Sequence, residues 1–144
     1  MKEETNILIV IPARGGSKGI PRKNLRLLSG KPLIYYIIKT AKESKYKSTI
    51  YVSSDDDEIL NTAVKFNVNT HKRDSKISDD KTTLDPVIYD CYLYAKSKES
   101  KDYKLIITLQ PTSPLLSTKS LDTAIEKMIK ENNIDTLISA KDNT

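Results

Sequence analysis

The chain has 144 residues, which fits one domain of ordinary size, and its 38% hydrophobic and 30% charged residues supply a core and exclude a disordered segment. One cysteine, Cys91, excludes an intramolecular disulfide framework, and one histidine, His71, excludes a multi-histidine metal centre. The formal net charge of +5 suggests an anionic partner, while the longest apolar run, residues 7–11, is far short of the ~18 residues of a membrane span. Lys2, Glu3 and Glu4 open the chain and that run is too brief for the apolar part of a secretory leader, so a soluble, cytoplasmic protein of a reducing compartment is expected.

Residues 7–12 read as a strand buried on both faces. Pro32 suits the first position of a helix, and Leu33, Ile34, Ile37, Ile38 and Ala41 form its core-facing stripe. Residues 49–53 are β-rich and predict a second strand. Asp55 with Glu58 resembles a capping box that opens a helix with the stripe Ile59, Leu60, Ala63 and Val64. Residues 68–71 predict a short strand. The helix after it spans 84–95, with Leu84, Val87, Ile88, Cys91 and Ala95 on one face. Residues 105–109 form the clearest strand after the first, and the two prolines in 110–114 require a loop. A helix from about Ser117 turns Leu121, Ile125, Met128 and Ile129 inward, and residues 136–140 make a last strand. The order βαβαβαβαβ predicts a single α/β domain over residues 1–144, with an open, mostly parallel sheet and helices on both faces.

Ligands of such sheets bind beyond the carboxyl ends of the strands, which directs attention to the loops 13–24, 53–57 and 110–114. Between Thr5 and Lys42 there is no acidic residue, and the eight basic ones include Arg14, Lys18, Arg22, Lys23 and Arg26, so the remainder of the chain is net negative. All four glycines, Gly15, Gly16, Gly19 and Gly30, fall in the same stretch. A general nucleic-acid binder spreads basic residues along a face and mixes in aromatics, and this distribution does not. The run Arg14-Gly-Gly-Ser-Lys-Gly-Ile-Pro-Arg-Lys-Asn24 follows directly on the first strand. Glycines there allow close backbone approach, and main-chain N–H groups with Arg and Lys heads make a nest for phosphate oxygens. The run has neither the glycine spacing of a P-loop nor that of the dinucleotide fingerprint.

The run Ile11-Pro-Ala-Arg-Gly-Gly-Ser-Lys-Gly-Ile-Pro-Arg-Lys-Asn24 resembles the signature of the acylneuraminate cytidylyltransferases (CMP-sialic acid synthetases), which include enzymes for legionaminic and pseudaminic acids. The similarity continues, in family order, through Val52-Ser-Ser-Asp55, Ser78-Asp-Asp-Lys-Thr-Thr83, Leu109-Gln-Pro-Thr-Ser-Pro-Leu115 and Leu137-Ile-Ser-Ala140. It implies a Rossmann-like nucleotidyltransferase fold and transfer of CMP from CTP to the anomeric hydroxyl of a nine-carbon sugar acid, with release of pyrophosphate. By the same resemblance, Arg14, Lys18 and Lys23 contact phosphates, and Arg14 and Lys23 are the catalytic pair, with Lys23 nearest the α-phosphate. Asn24 matches a ribose or phosphate contact, Ala13 and Arg14 face the base through main-chain groups, and Arg73 and Thr83 match further nucleotide contacts. Gln110, with Thr112 and Ser113 beside it, matches the sugar-acid contacts. Mg²⁺ is the implied cofactor, its ligands expected downstream of residue 144. This makes the chain the N-terminal portion of a longer family domain, active and homodimeric at full length, and without strong turnover by itself. Neither nucleic acid nor membrane is an expected partner.

Several residues have plainer readings. Thr82 and Thr83 suit a helix cap, Asp79 and Asp80 a solvated loop, and residues 55–57 the favourable acidic start of a helix. His71 is expected to face solvent, Cys91 to be an inert core residue, and Tyr35, Tyr36, Tyr89, Tyr92 and Tyr94 to pack or sit at an interface. The rival readings are a 3-deoxy-manno-octulosonate cytidylyltransferase relative, a catalytically inactive nucleotide-binding fragment or interaction module, and, third, a basic nucleic-acid binder.

Overall fold

The apolar run of the first strand needs cover on both faces, and the fold provides it. The computed structural model describes residues 3–15, 25–73, 84–111, 117–130 and 137–140. In chain order they form β1 (Glu3–Pro12), a ribbon of β2 (Leu27–Leu28) and β3 (Lys31–Pro32), α1 (Leu33–Glu43), β4 (Tyr46–Ser54), α2 (Asp57–Lys65), β5 (Asn69–Lys72), α3 (Leu84–Glu99), β6 (Leu105–Leu109), α4 (Thr118–Lys130) and β7 (Leu137–Ala140). Five strands make one sheet in the order β5-β4-β1-β6-β7, and all neighbours are parallel. The predicted open parallel α/β sheet is therefore the observed one, with β1 at its centre.

Alternation along β1 divides the core into two layers. Ile7, Ile9 and Ile11 point to the layer built by Ile34, Ile37 and Ile38 of α1, Ile59 and Ala63 of α2, and Leu121 and Ile125 of α4. Leu8 and Val10 point the other way, joining Tyr51 of β4 against Ile88, Cys91 and Ala95 of α3. Most predicted stripes face inward as expected. Val64 departs from its stripe and is exposed, because Ile59, Leu60 and Ala63 already fill the buried face of this short helix.

Three local features differ from the sequence reading. Asp56, not Asp55, caps α2: its side chain accepts the N–H of Glu58 at 2.8 Å. Pro32 is the N-cap of α1 and not its first helical residue, since its ψ of 148° is extended. The β2–β3 ribbon was not expected; Ser29 (φ 52°) and Gly30 (φ 82°) form its two-residue turn, the conformation that matches strand twist in tight hairpins. The bond from Leu33 N–H to the Arg26 carbonyl (2.9 Å) closes this ribbon at its base. Among the described residues, no helix is long and apolar enough to cross a membrane.

Polar contacts fasten the layers. Asp122 of α4 accepts from the buried Ser44 hydroxyl and from the Lys45 N–H, tying α4 to the α1–β4 connection. Burial pushes the Cys91 thiol up to about 12, with the Asp90 carboxylate adding to the effect. Replacing Asp122 with Ala should lower stability by about 1–3 kcal/mol in urea unfolding, because the buried Ser44 hydroxyl loses the carboxylate it donates to and keeps only the Tyr46 N–H that it accepts. Cys91 should resist an aromatic disulfide reagent at pH 8 in the folded protein and react fully once urea unfolds it; native labelling at the rate of a free thiol would contradict its buried placement.

Candidate functional site

Parallel pairing brings the carboxyl ends of β1, β4, β5 and β6 to one edge of the sheet. From β1 the chain runs to β4 and β5 on one side, then returns to β6 on the other side of β1. That reversal is the position where open α/β sheets accept ligands, and the predicted site residues Ala13 and Arg14 follow β1 there. Gln110 leaves β6, the neighbour of β1, half-buried and followed by the buried Pro111.

Ser53 and Ser54, the last two residues of β4, organise this edge. The Ser53 carbonyl accepts the N–H of Ala13 at 2.9 Å, and the Ser54 carbonyl accepts the N–H of Arg73 at 2.9 Å. The Arg73 guanidinium turns back to donate to the Ser53 carbonyl (3.2 Å) and hydroxyl (3.3 Å). Arg73 is only 4% exposed, so it is not the solvated charge that its Lys- and Asp-rich neighbourhood in the sequence suggests. Burial lowers its pKa, the Asp55 carboxylate opposes that shift, and the Arg14 guanidinium adds to it. Arg14, Arg73 and Asp55 thus share one electrostatic neighbourhood, and two cations are concentrated where an anionic ligand would be drawn.

Gly15 continues the exit of β1. Its N–H donates to Asp55 Oδ1 at 3.1 Å. A side chain at Gly15 has no room, because its Cβ would lie 2.4 Å from Asp56 Oδ2 and 2.6 Å from Asp56 Cβ. The requirement for glycine here is therefore close approach. Asp56 is itself held, its N–H donating to Ser54 Oγ at 3.0 Å while its carboxylate caps α2.

His71, expected to face solvent, is instead largely enclosed. Its Nε2 lies 2.8 Å from Asp90 Oδ2, and its ring stacks on Tyr94 with centroids 4.2 Å apart. The packing role expected of Tyr94 holds, since it also meets Tyr51 edge-on. Together these contacts join the end of β5 to α3 beside Arg73. Among the described residues no three His, Cys, Asp or Glu side chains gather as a metal site. Of the predicted site residues, the structure brings Ala13, Arg14 and Arg73 together and places Gln110 at the end of β6. Lys18, Lys23, Asn24, Thr83, Thr112 and Ser113 lie outside the described residues. Sequence reasoning missed the part played by Asp55; it had marked the 53–57 loop but assigned its acidic residues to the helix start.

The model of the family described as Cytidylyltransferase matches residues 8–143. The chain belongs to the cytidylyltransferase family. It is 35% identical over 130 residues to an N-acylneuraminate cytidylyltransferase A of Danio rerio, matching 90% of this chain and 29% of that protein. It is 40% identical over 124 residues to a pseudaminic acid cytidylyltransferase of Campylobacter jejuni, matching 85% of this chain and 53% of the relative. The chain thus spans about half the length of the bacterial relative and less of the fish one. A CMP:2-keto-3-deoxy-manno-octonic acid synthetase solved in complex with CTP shares the fold, with a TM-score of 0.71 at 23% identity over 89% of this chain and 49% of that one.

For this cytidylyltransferase chain, Gly15→Ala should lower stability by about 1 kcal/mol or more, since the new methyl group displaces the α2 cap. In an Asp56→Gly background the same change should cost little, because the clashing side chain is gone. Urea denaturation of the four proteins in this cycle reads the coupling; equal costs in both backgrounds would show that Gly15 and Asp56 do not compete for space.

Proposed function

We propose that this chain is the nucleotide-binding part of an enzyme that transfers CMP from CTP to the anomeric hydroxyl of a sialic-acid-like nine-carbon sugar acid. The observation that carries this reading is that the entry to the basic loop and the buried Arg73 meet at one group, the Ser53 carbonyl, which accepts from the Ala13 N–H at 2.9 Å and from the Arg73 guanidinium at 3.2 Å. Identities of 35% and 40% to relatives named for N-acylneuraminate and pseudaminic acid support the substrate class over the 3-deoxy-manno-octulosonate alternative, for which the likeness at 23% identity speaks of fold alone.

In the proposed reaction the hydroxyl oxygen of the sugar acid attacks the α-phosphorus, its proton passes to water, and the bond to the bridging oxygen breaks as pyrophosphate leaves with the electron pair. Negative charge builds on the phosphate oxygens, so cations set in place beforehand stabilise the transition state. Arg14 and Lys23 take the catalytic role in this proposal, Lys23 nearest the α-phosphate. Lys18, Asn24, Arg73 and Thr83 hold the nucleotide, and main-chain groups of Ala13 and Arg14 face the base. Gln110, Thr112 and Ser113 orient the sugar acid. A guanidinium already buried and hydrogen-bonded, as at Arg73, needs little reorganisation when the triphosphate arrives.

Mg²⁺ belongs to the proposal as the cofactor that offsets triphosphate charge. The described carboxylates at this edge do not fit it: Asp55 accepts from Gly15, Asp56 caps α2, and Asp57 pairs with Lys72 at 3.0 Å. Its ligands are accordingly proposed downstream of residue 144, and turnover and homodimer formation are proposed for the whole protein. Calorimetric titration of the 144-residue chain with CTP should show binding. Arg14→Ala and Lys23→Ala should each weaken it about tenfold or more, the loss expected for a charge-assisted contact. Binding of CTP unchanged by either substitution, or no binding at all, would overturn the assignment. CTP affinity without pyrophosphate release in the presence of the downstream sequence would favour an inactive nucleotide-binding module.

A further inference from the structure

The last main-chain contact between β1 and β4 is the bond from Ala13 N–H to the Ser53 carbonyl, at 2.9 Å. Beyond that point β4 ends, at Ser54, and α2 begins at Asp57. The next donor in line is Gly15 N–H, and the acceptor it meets is a side chain, Asp55 Oδ1, at 3.1 Å. We propose that Asp55 is a positioning residue: its carboxylate takes the place of the missing strand carbonyl and fixes the direction in which the basic glycine-bearing loop leaves the sheet.

The geometry around Asp55 is what such a role requires. Ser53 and Ser54, which precede it, are buried, and Asp56, which follows, is held by Ser54 Oγ and by its own cap to Glu58. The carboxylate therefore extends from a turn that is fixed on both sides. Gly15 is pressed against the same turn, since a Cβ there would overlap Asp56. Loop entry is thus set at two points, an acceptor at Asp55 and a steric wall at Asp56. Asp55 also acts on the Arg73 guanidinium in the sense opposite to Arg14, and so tempers the repulsion between the two cations. A loop whose first residues are already ordered loses less freedom on binding a ligand, and that saving is realised as affinity.

This inference rests on the reading of the loop as a CTP site, so the experiment separates the two. The 144-residue chain, its Asp55→Ala variant and its Asp55→Asn variant are compared in three measurements: amide exchange at Gly15 by NMR, CTP affinity by calorimetry, and thermal unfolding. In the parent chain the Gly15 amide should be protected from exchange and CTP should bind. Asp55→Ala should remove the protection and weaken CTP binding about tenfold, the equivalent of about 1.4 kcal/mol. Asp55→Asn keeps an oxygen acceptor of the same reach, and should restore both the protection and an affinity within about threefold of the parent. A residue needed only for folding would shift the melting temperature and not give this recovery in affinity. If Asp55→Ala does not fold, Asp55→Ser, whose hydroxyl is too short to reach Gly15, carries the same expectation. Parent-like CTP affinity in Asp55→Ala, or failure of Asn to restore it, overturns the positioning role and leaves the CTP site standing. A protected Gly15 amide in a parent chain that binds no CTP overturns the nucleotide reading, and the positioning role with it.

Discussion

A strand made of Ile7, Leu8, Ile9, Val10 and Ile11 presents apolar side chains to both sides, and water must be kept from both. Only a central place in a sheet covered by helices on each face meets that demand. Fully burying such a side chain contributes about 1.5–3 kcal/mol, so these five residues outweigh any single polar contact described here. With both faces sealed, the ends of the strands are where main-chain and polar groups emerge. The position of the site is in this sense a consequence of where the core is.

At the carboxyl edge the emerging groups are then organised by a few acceptors. The Ser53 carbonyl serves both Ala13 and Arg73, and Asp55 serves Gly15, so the ends of β1 and β5 both report to the turn that closes β4. Arg73 is placed by folding itself: its main chain is fixed to Ser54 and its guanidinium to Ser53. The opposing effects of Arg14 and Asp55 on that guanidinium show why a carboxylate is useful among cations. It allows two of them to stand close together before any ligand supplies negative charge.

How much of this could be read from the sequence depended on whether the signal was local. The apolar run of β1 and the stripes of α1 and α4 announced their elements, because burial on one or two faces leaves a periodic mark. The 105–109 strand emerged with the bounds expected of it. The ribbon at Leu27–Pro32 was missed because its two strands have only two residues each, too few for any period to appear. His71 was misplaced because its partners, Asp90 and Tyr94, lie on the following helix and meet it only in three dimensions. The choice between Asp55 and Asp56 as the cap turned on a single residue among three consecutive aspartates, and all three suit the start of a helix. Arg14 stands out by its place in the basic glycine-bearing run, Arg73 only through motif resemblance, and the burial of Arg73 leaves no mark in its charged surroundings.

The small ribbon before α1 has a mechanical meaning. Because Leu33 N–H is bonded to the Arg26 carbonyl, residues 26 to 33 form a closed ring whose own turn satisfies the strain of reversal at Ser29 and Gly30. The ring is also tied to the helix at a second point, where the Tyr36 hydroxyl donates to the Leu28 carbonyl. Ribbon and first helical turns are thereby braced as one piece, which anchors the start of a helix whose N-cap, Pro32, offers no side-chain hydrogen bond.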